Sequence, residues 1–255
     1  GVPDGADAFP LDERPPLGPV FGKTTLMTLA NAKIVIWELH DSLQGGSKVE
    51  VGSHAVSDIN GEFEVSLSAD YGGGPIMVEL VVSEESKIRC LSLVSCGEQS
   101  FGLMTENVGN FSLKRLFPSL KSISGPIDVG PFDHMASTLI DSADSLITPV
   151  SIQDAEIGIG NMLQLNSDLN QLQRVAPNKM AELADATLSE QQLATLSFAL
   201  ASSVWSSATL TGSEQFAALY INQLEDIANF LGSNGYSELT NRLVDLFDSA
   251  EAAAA

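Results

Sequence analysis

Val56-Ser-Asp-Ile-Asn-Gly-Glu-Phe-Glu-Val-Ser-Leu67 is the stretch that decides how this chain is read. Phe63, Val65 and Leu67 alternate with Glu62, Glu64 and Ser66, a period of two that sets three apolar side chains on one face of a strand. Asn60-Gly61, just ahead of it, supplies the positive φ angles of a tight hairpin. Upstream, Lys48-Val-Glu-Val-Gly-Ser-His-Ala-Val56 predicts the preceding strand, with Val49 and Val51 on one face. Ala32-Lys-Ile-Val-Ile-Trp-Glu-Leu39 predicts a further, β-branched one. Downstream, Tyr71-Gly-Gly-Gly-Pro75 breaks the chain before Ile76-Met-Val-Glu-Leu-Val-Val82, which is apolar enough to be central. Short strands with regular turn signals over residues 21–130 predict an antiparallel β-sandwich.

Near residue 130 the period becomes helical. From Phe132 onward Met135, Leu139 and Leu146 fall on one stripe. Ser189-Glu-Gln-Gln192 reads as an N-cap entering a helix with Leu193, Leu196, Leu200 and Val204 on a face. Ser213-Glu-Gln-Phe216 repeats the device ahead of Phe216, Tyr220, Leu224, Ile227 and Leu231, with Gly232 and Gly235 as the stop. Ser237 predicts a last helix carrying Leu239, Leu243 and Leu246. The expected fold is α+β in two parts: the sandwich over 21–130, then an all-α helical bundle over 131–251. Residues 1–20, with Pro3, Pro10, Pro15, Pro16 and Pro19, read as a stiff, extended tether.

Charge narrows the partners. Asp and Glu outnumber Lys and Arg 33 to 12, a net charge of −21 at pH 7. A body this negative repels phosphate backbones, which excludes nucleic acid as a natural partner and disfavours anionic lipid. No apolar run is long enough to predict a transmembrane helix. Cys90 and Cys96 are the two cysteines. Their spacing is too wide for a redox Cys-x-x-Cys, and they read either as a disulfide closing a short loop in an oxidising compartment or as two buried thiols on a strand.

Asn31-Ala-Lys-Ile-Val-Ile-Trp37 together with Ser57, Asp58, Gly61 and Phe63 resembles the carboxypeptidase regulatory-like domain, a transthyretin-like sandwich. Cys90, Cys96-Gly97, Phe101-Gly102 and Val129-Gly-Pro-Phe-Asp-His-Met-Ala136 are similar to a group of bacterial envelope lipoproteins, in which the sandwich leads into a helical region. This chain has Gly130, Phe132 and Asp133 where that pattern has Thr, Leu and Thr. The resemblance implies a spacer, interaction or glycan-associated module of an exported protein, and it brings no catalytic residues.

The catalytic lookalikes fail on spacing. Gly18-Pro-Val-Phe-Gly-Lys-Thr-Thr25 has three residues between its glycines where a phosphate-binding loop has four. Asp133-His134 stand side by side in sequence, and no Gly-x-Ser-x-Gly accompanies them. Asp58-Ile-Asn-Gly-Glu62 lacks the remaining ligands of a calcium loop. No catalytic residue, metal site or cofactor is therefore expected. Tyr71, expected to be exposed in its glycine-rich loop, and Trp37, sharing a face with Val35, are the candidate ligand contacts.

The reading from sequence is a non-catalytic, exported bacterial surface protein that binds a protein or glycan partner. It would be outer membrane-anchored through a lipid before Gly1, or secreted, with its export signal already removed. A carbohydrate-binding accessory lipoprotein of a polysaccharide-using bacterium is the alternative.

Overall fold

In the computed structural model, residues 18–24, 27–40, 46–68, 71–92, 95–96, 98–105, 109–123, 125–142, 146–166, 169, 172, 175, 179–209 and 216–234 are described. Residues 1–17 of the proline-rich start and the helix expected after Ser237 lie outside these residues, as does the cap expected at Ser213; the expected tether ends earlier than residue 20, since Val20 is buried and opens the first strand.

The four strands expected from alternation and from apolar, β-branched runs are all present: β3 (Lys33–Leu39), β4 (Lys48–Val56), β5 (Glu62–Val65) and β6 (Ile76–Val82). Around them stand β1 (Val20–Lys23), β2 (Leu29–Ala30), β7 (Lys87–Arg89), β8 (Met104–Thr105), β9 (Phe111–Phe117) and β10 (Ile127–Asp128). They form three sheets, ordered β4-β3-β6-β9, β10-β1-β5 and β2-β7-β8. Every pairing is antiparallel except β1 with β10.

The turn at Ser57–Gly61 differs from a simple hairpin. β4 pairs with β3 while β5 pairs with β1, so the turn carries the chain from one sheet to another. Among the described residues, an isolated bridge, Gly52 to Leu67, pairs the two flanking segments. Asp58 shapes the turn by accepting hydrogen bonds from the backbone N–H of Asn60 and of Glu62, both at 2.8 Å. Gly61 has φ +80°, and Asn60 is not among the residues with positive φ.

Packing explains where alternation holds and where it breaks. Phe63 and Val65 are buried and Leu67 is half-buried, as expected. Val51 is fully buried, but Val49 is 44% exposed. Register supplies the reason: Ile36 opposes Gly52 and Trp37 opposes Glu50, so β4 carries an extra residue at Val51. Such a bulge breaks the strict alternation that would have put both valines inward.

β10 ends at Asp128 and helix α1 (Pro131–Ser142) begins three residues on, where the sequence period changes. Helices α2 (Pro149–Met162), α3 (Met180–Asp185), α4 (Leu188–Thr209) and α5 (Phe216–Asn234) follow. α1 stops at Ser142, so Leu146, expected on its apolar stripe, is instead 67% exposed beyond the helix. α2 was not foreseen, although Thr148 caps it, accepting from Ser151 N at 3.0 Å, and Pro149 supplies a first residue with φ already set. α4 starts before the expected Ser189 cap. Thr187 and Glu190 form the reciprocal pair: Thr187 N donates to Glu190 Oε2 at 2.8 Å, and Glu190 N to Thr187 Oγ1 at 3.4 Å.

The buried apolar residues form one cluster running from the sheets into the helices. Leu193, Leu200 and Val204 of α4, and Phe216, Tyr220, Leu224 and Ile227 of α5, are all buried, which matches the expected faces. Trp205 stacks on Phe216 at 4.1 Å between ring centroids, and Phe216 on Tyr220 at 5.3 Å. Each such pair adds about 0.5–1.5 kcal/mol beyond its buried area. α1 packs against β9, the edge of the four-stranded sheet, where Ser137 Oγ donates to the Lys114 carbonyl at 3.3 Å. A helix thereby covers a strand edge that would otherwise invite pairing with another chain.

Candidate functional site

β9 reads Phe111-Ser-Leu-Lys-Arg-Leu-Phe117, and its register sets Leu113, Arg115 and Phe117 opposite Leu80, Val78 and Ile76 of β6. Arg115 thus stands where the pattern calls for an apolar residue. It is only 8% exposed. Its Nη1 donates to the Asp128 carbonyl at 2.6 Å, Nε lies 3.4 Å from Asp133 Oδ1, and Nη2 lies 3.8 Å from Glu156 Oε1. The guanidinium also covers Phe117, 4.8 Å from the ring centroid. Four elements, β9, β10, α1 and α2, are tied together at this one side chain.

Asp133 has a second task. Its other carboxylate oxygen accepts from Gly130 N at 3.0 Å, fixing the first turn of α1, where a negative charge suits the helix dipole. A buried guanidinium loses much of its hydration, and only this surrounding set of oxygens makes its burial tolerable.

Arg115 lines a cleft of about 940 Å³ between the end of β9, the segment leading into β10, and the first half of α2. Lys23, Asp128, Gln153 and Glu156 line it with polar groups, and Phe117, Ile152 and Leu172 contribute apolar wall. A second hollow of about 470 Å³, lined by Phe21, Leu67 and Leu120, shares Ile123, Gly125 and Pro126 with it. The larger volume is typical of small-ligand sites.

Tyr71 is not exposed, contrary to the expectation from its loop. It is buried, its hydroxyl donating to the Gly74 carbonyl at 2.7 Å and accepting from Leu120 N at 3.0 Å. The reason is Glu38, a buried carboxylate that accepts from Gly72 N at 2.8 Å and Gly74 N at 2.9 Å and so folds the glycine-rich loop inward. Burial raises the Tyr71 pKa above the ordinary phenol value; the Leu120 N–H lowers it, and the Glu38 charge raises it. Trp37 is half-buried. Its Nε1 donates to Glu79 Oε2 at 2.8 Å, and Lys48 Nζ sits over its ring at 4.2 Å from the centroid. Tyr71 and Trp37 do not meet at the cleft, whose lining includes neither.

The remaining lookalikes have structural work. Gly22-Lys23 lies in strand β1, with Gly22 leaving room for the Phe63 ring. Asp133 and His134 face different partners, since His134 Nε2 lies 3.8 Å from Glu225 Oε1 on α5. The neighbouring His134 side chain is the main cause holding the Glu225 carboxyl below its usual range; burial opposes this, and the Lys114 charge assists. Asp58 belongs to its turn. Among the described residues, no group of three or more His, Cys, Asp or Glu could hold a metal ion.

Cys90 and Cys96 form a disulfide, as one of the two sequence readings expected, and both are fully buried. Its loop is fastened to α4, where Ser202 Oγ donates to the Leu91 carbonyl at 2.9 Å; beyond the loop, Phe101 meets Phe198 of α4 edge-on at 5.9 Å. No helix among the described residues is long and apolar enough to cross a membrane.

Arg115, Glu156 and Gln153 went unmarked in the sequence reading. The signal for Arg115 was available as a charged residue breaking the alternation of β9. Glu156 and Gln153 had none, because α2 itself was not foreseen. The chain matches no family model, no curated protein and no solved structure.

Proposed function

We propose that this chain is a non-catalytic binding or scaffolding module of the bacterial cell surface, lipid-anchored at the outer membrane or secreted, with the cleft beside Arg115 as its binding site. The observation that carries the reading is that cleft: ligand-sized, set where sheet meets helices, and walled by charged groups that hold one another in place. Groups locked in this way are suited to recognition, because little ordering remains to be done when a ligand arrives. The buried disulfide supports an oxidising compartment.

The same reading takes the strand region as a transthyretin-like sandwich and the helices as a bundle docked along β9. What supports the sandwich is the approach of β4 to the segment holding β5, where a Cβ on Gly52 would lie 2.9 Å from Val65. What supports the bundle is the neighbourhood of α1 with α2 and α5, and of α4 with α5.

The test is a thermal-shift and calorimetric screen of small glycans, peptides and organic acids on the whole chain. A hit should be abolished by Gln153→Trp, which fills the cleft from an exposed helix position, and should be recovered chemically unchanged after long incubation. Turnover of the bound compound would sink the reading, and so would a hit indifferent to Gln153→Trp.

A further inference from the structure

The second hollow differs in kind from the cleft beside Arg115. Its wall is made by the start of β1, by Leu67 beyond β5, and by the segment from Leu120 to Pro126. Pro19, Phe21, Leu67, Leu120, Ile123 and Pro126 give it an apolar surface. Phe21 stays 53% exposed, so apolar area remains to be covered there. The volume of about 470 Å³ falls within the range of small-ligand sites.

Lys121 is the one charged side chain among the described residues of this wall. It is exposed and makes no ion pair among the described residues. Glu64, the register partner of Phe21, lies outside the wall. A lone cation bordering an apolar hollow stands out in a chain with 33 acidic and 12 basic residues. The turn that carries it is held from two sides. Leu120 N donates to the Tyr71 hydroxyl at 3.0 Å, and Ser119 N donates to Ser122 Oγ at 3.3 Å.

This combination selects a ligand class. A cationic head is repelled by Lys121. A multivalent anion finds one ammonium and an otherwise apolar wall, and must approach a chain of net charge −21. A neutral hydrocarbon covers the wall but leaves the ammonium without a partner. A hydrocarbon ending in a single carboxylate satisfies both: burial of its chain supplies most of the affinity, and the charge-assisted contact at Lys121 fixes its direction.

We infer that this hollow binds an apolar monocarboxylate of the medium-chain fatty-acid type, its alkyl chain against Phe21, Leu67, Leu120 and Ile123 and its carboxylate at Lys121. The site is separate from the Arg115 cleft and goes beyond the function proposed for it.

Titration calorimetry and amide chemical-shift mapping of the full chain test it. One probe series varies the chain (hexanoate, octanoate and decanoate), and the other varies the head on an eight-carbon tail (octanoate, octanol and octyltrimethylammonium). Decanoate should bind with Kd below ~1 mM. Each pair of added methylenes should tighten binding by about tenfold. Octanoate should bind more tightly than octanol, and octyltrimethylammonium more weakly than both. Lys121→Gln should weaken octanoate by about threefold, the value of an exposed ion pair. Lys121→Glu should weaken it further and reverse the order of octanoate and octyltrimethylammonium, with octanol changed less than twofold. Thermal midpoints of both variants, read without ligand, establish that each is folded. Failure of decanoate to bind overturns the inference, as does octanoate affinity indifferent to Lys121→Glu. Shifts centred on Gln153 and Glu156, with Gly18–Phe21 and Lys121 unmoved, also overturn it and support the Arg115 cleft as the ligand site instead.

Discussion

Tyr71 and Leu120 are joined across 49 residues by a hydrogen bond: the Leu120 N–H donates to the Tyr71 hydroxyl at 3.0 Å. The same hydroxyl donates to the Gly74 carbonyl, inside the loop that Glu38 holds. Leu120 opens the short 3-10 turn Leu120–Ser122, and Ser122 and Ile123 stand in the wall of the cleft. Tyr71 therefore anchors a turn that borders the cleft, acting at a distance through backbone.

Tyr71→Phe keeps the ring and removes both bonds. Stability should fall by about 1–3 kcal/mol, the penalty of buried partners left unsatisfied. Hydrogen exchange of the Leu120 amide should quicken, and ligand affinity at the cleft should fall although the phenol never touches the ligand. Unchanged exchange at Leu120 would contradict the assignment.

Arg115 should be far more sensitive. Arg115→Met leaves Asp133 and Glu156 buried without their cation, and breaking a buried pair from one side costs about 3–5 kcal/mol. Adding Asp133→Asn and Glu156→Gln to that variant should restore part of the loss, since the orphaned charges go with it. Urea denaturation of the three forms measures this. Equal stability of the single and triple variants would mean that the cluster is not electrostatically coupled.

The disulfide is a local staple. Its loop spans a sequence separation of 6, so the chain-entropy contribution is about 2 kcal/mol, and Cys90→Ala with Cys96→Ala should lower stability by that order. Because both cysteines are fully buried, dithiothreitol should leave the bond intact in the native protein and reduce it once urea is added. Thiol titration under the two conditions gives the answer.

Two pH limits follow from linkage. Burial raises the phenol pKa values of Tyr71 and Tyr220 in the folded state. The neutral phenols therefore contribute stability that is complete below ~10, the unfolded value, and is lost as pH rises beyond it. The Glu225 carboxyl is lowered, so its contribution is present above ~4.3 and is lost as pH falls through the folded value. Urea midpoints across pH should show both limbs, the alkaline one flattened by Tyr71→Phe and Tyr220→Phe, the acid one by Glu225→Gln. No change of either limb in its variant would refute the corresponding assignment.

Much of the secondary structure was legible because burial on one face leaves a periodic trace. Alternation found β5 and apolar runs found β3 and β6; stripes at helical spacing found the buried faces of α4 and α5. The trace fails where tertiary geometry overrides local period. The bulge in β4 left Val49 exposed, and the end of α1 at Ser142 left Leu146 outside the helix. Tyr71 was misplaced for a related reason: a glycine-rich loop looks solvent-bound until a buried carboxylate is known to draw its N–H groups inward.

By itself the sequence determined the strand-then-helix order, the acidic surface and the presence of two cysteines able to pair, since period, charge and composition are local or additive properties. Only the tertiary structure decided which strands pair, that β5 leaves β4 for β1, and that Arg115, Asp133 and Glu156 meet. Those facts depend on residues 18 and 41 positions apart being brought within 4 Å, and such proximity is set by packing of the whole core, which no local pattern encodes.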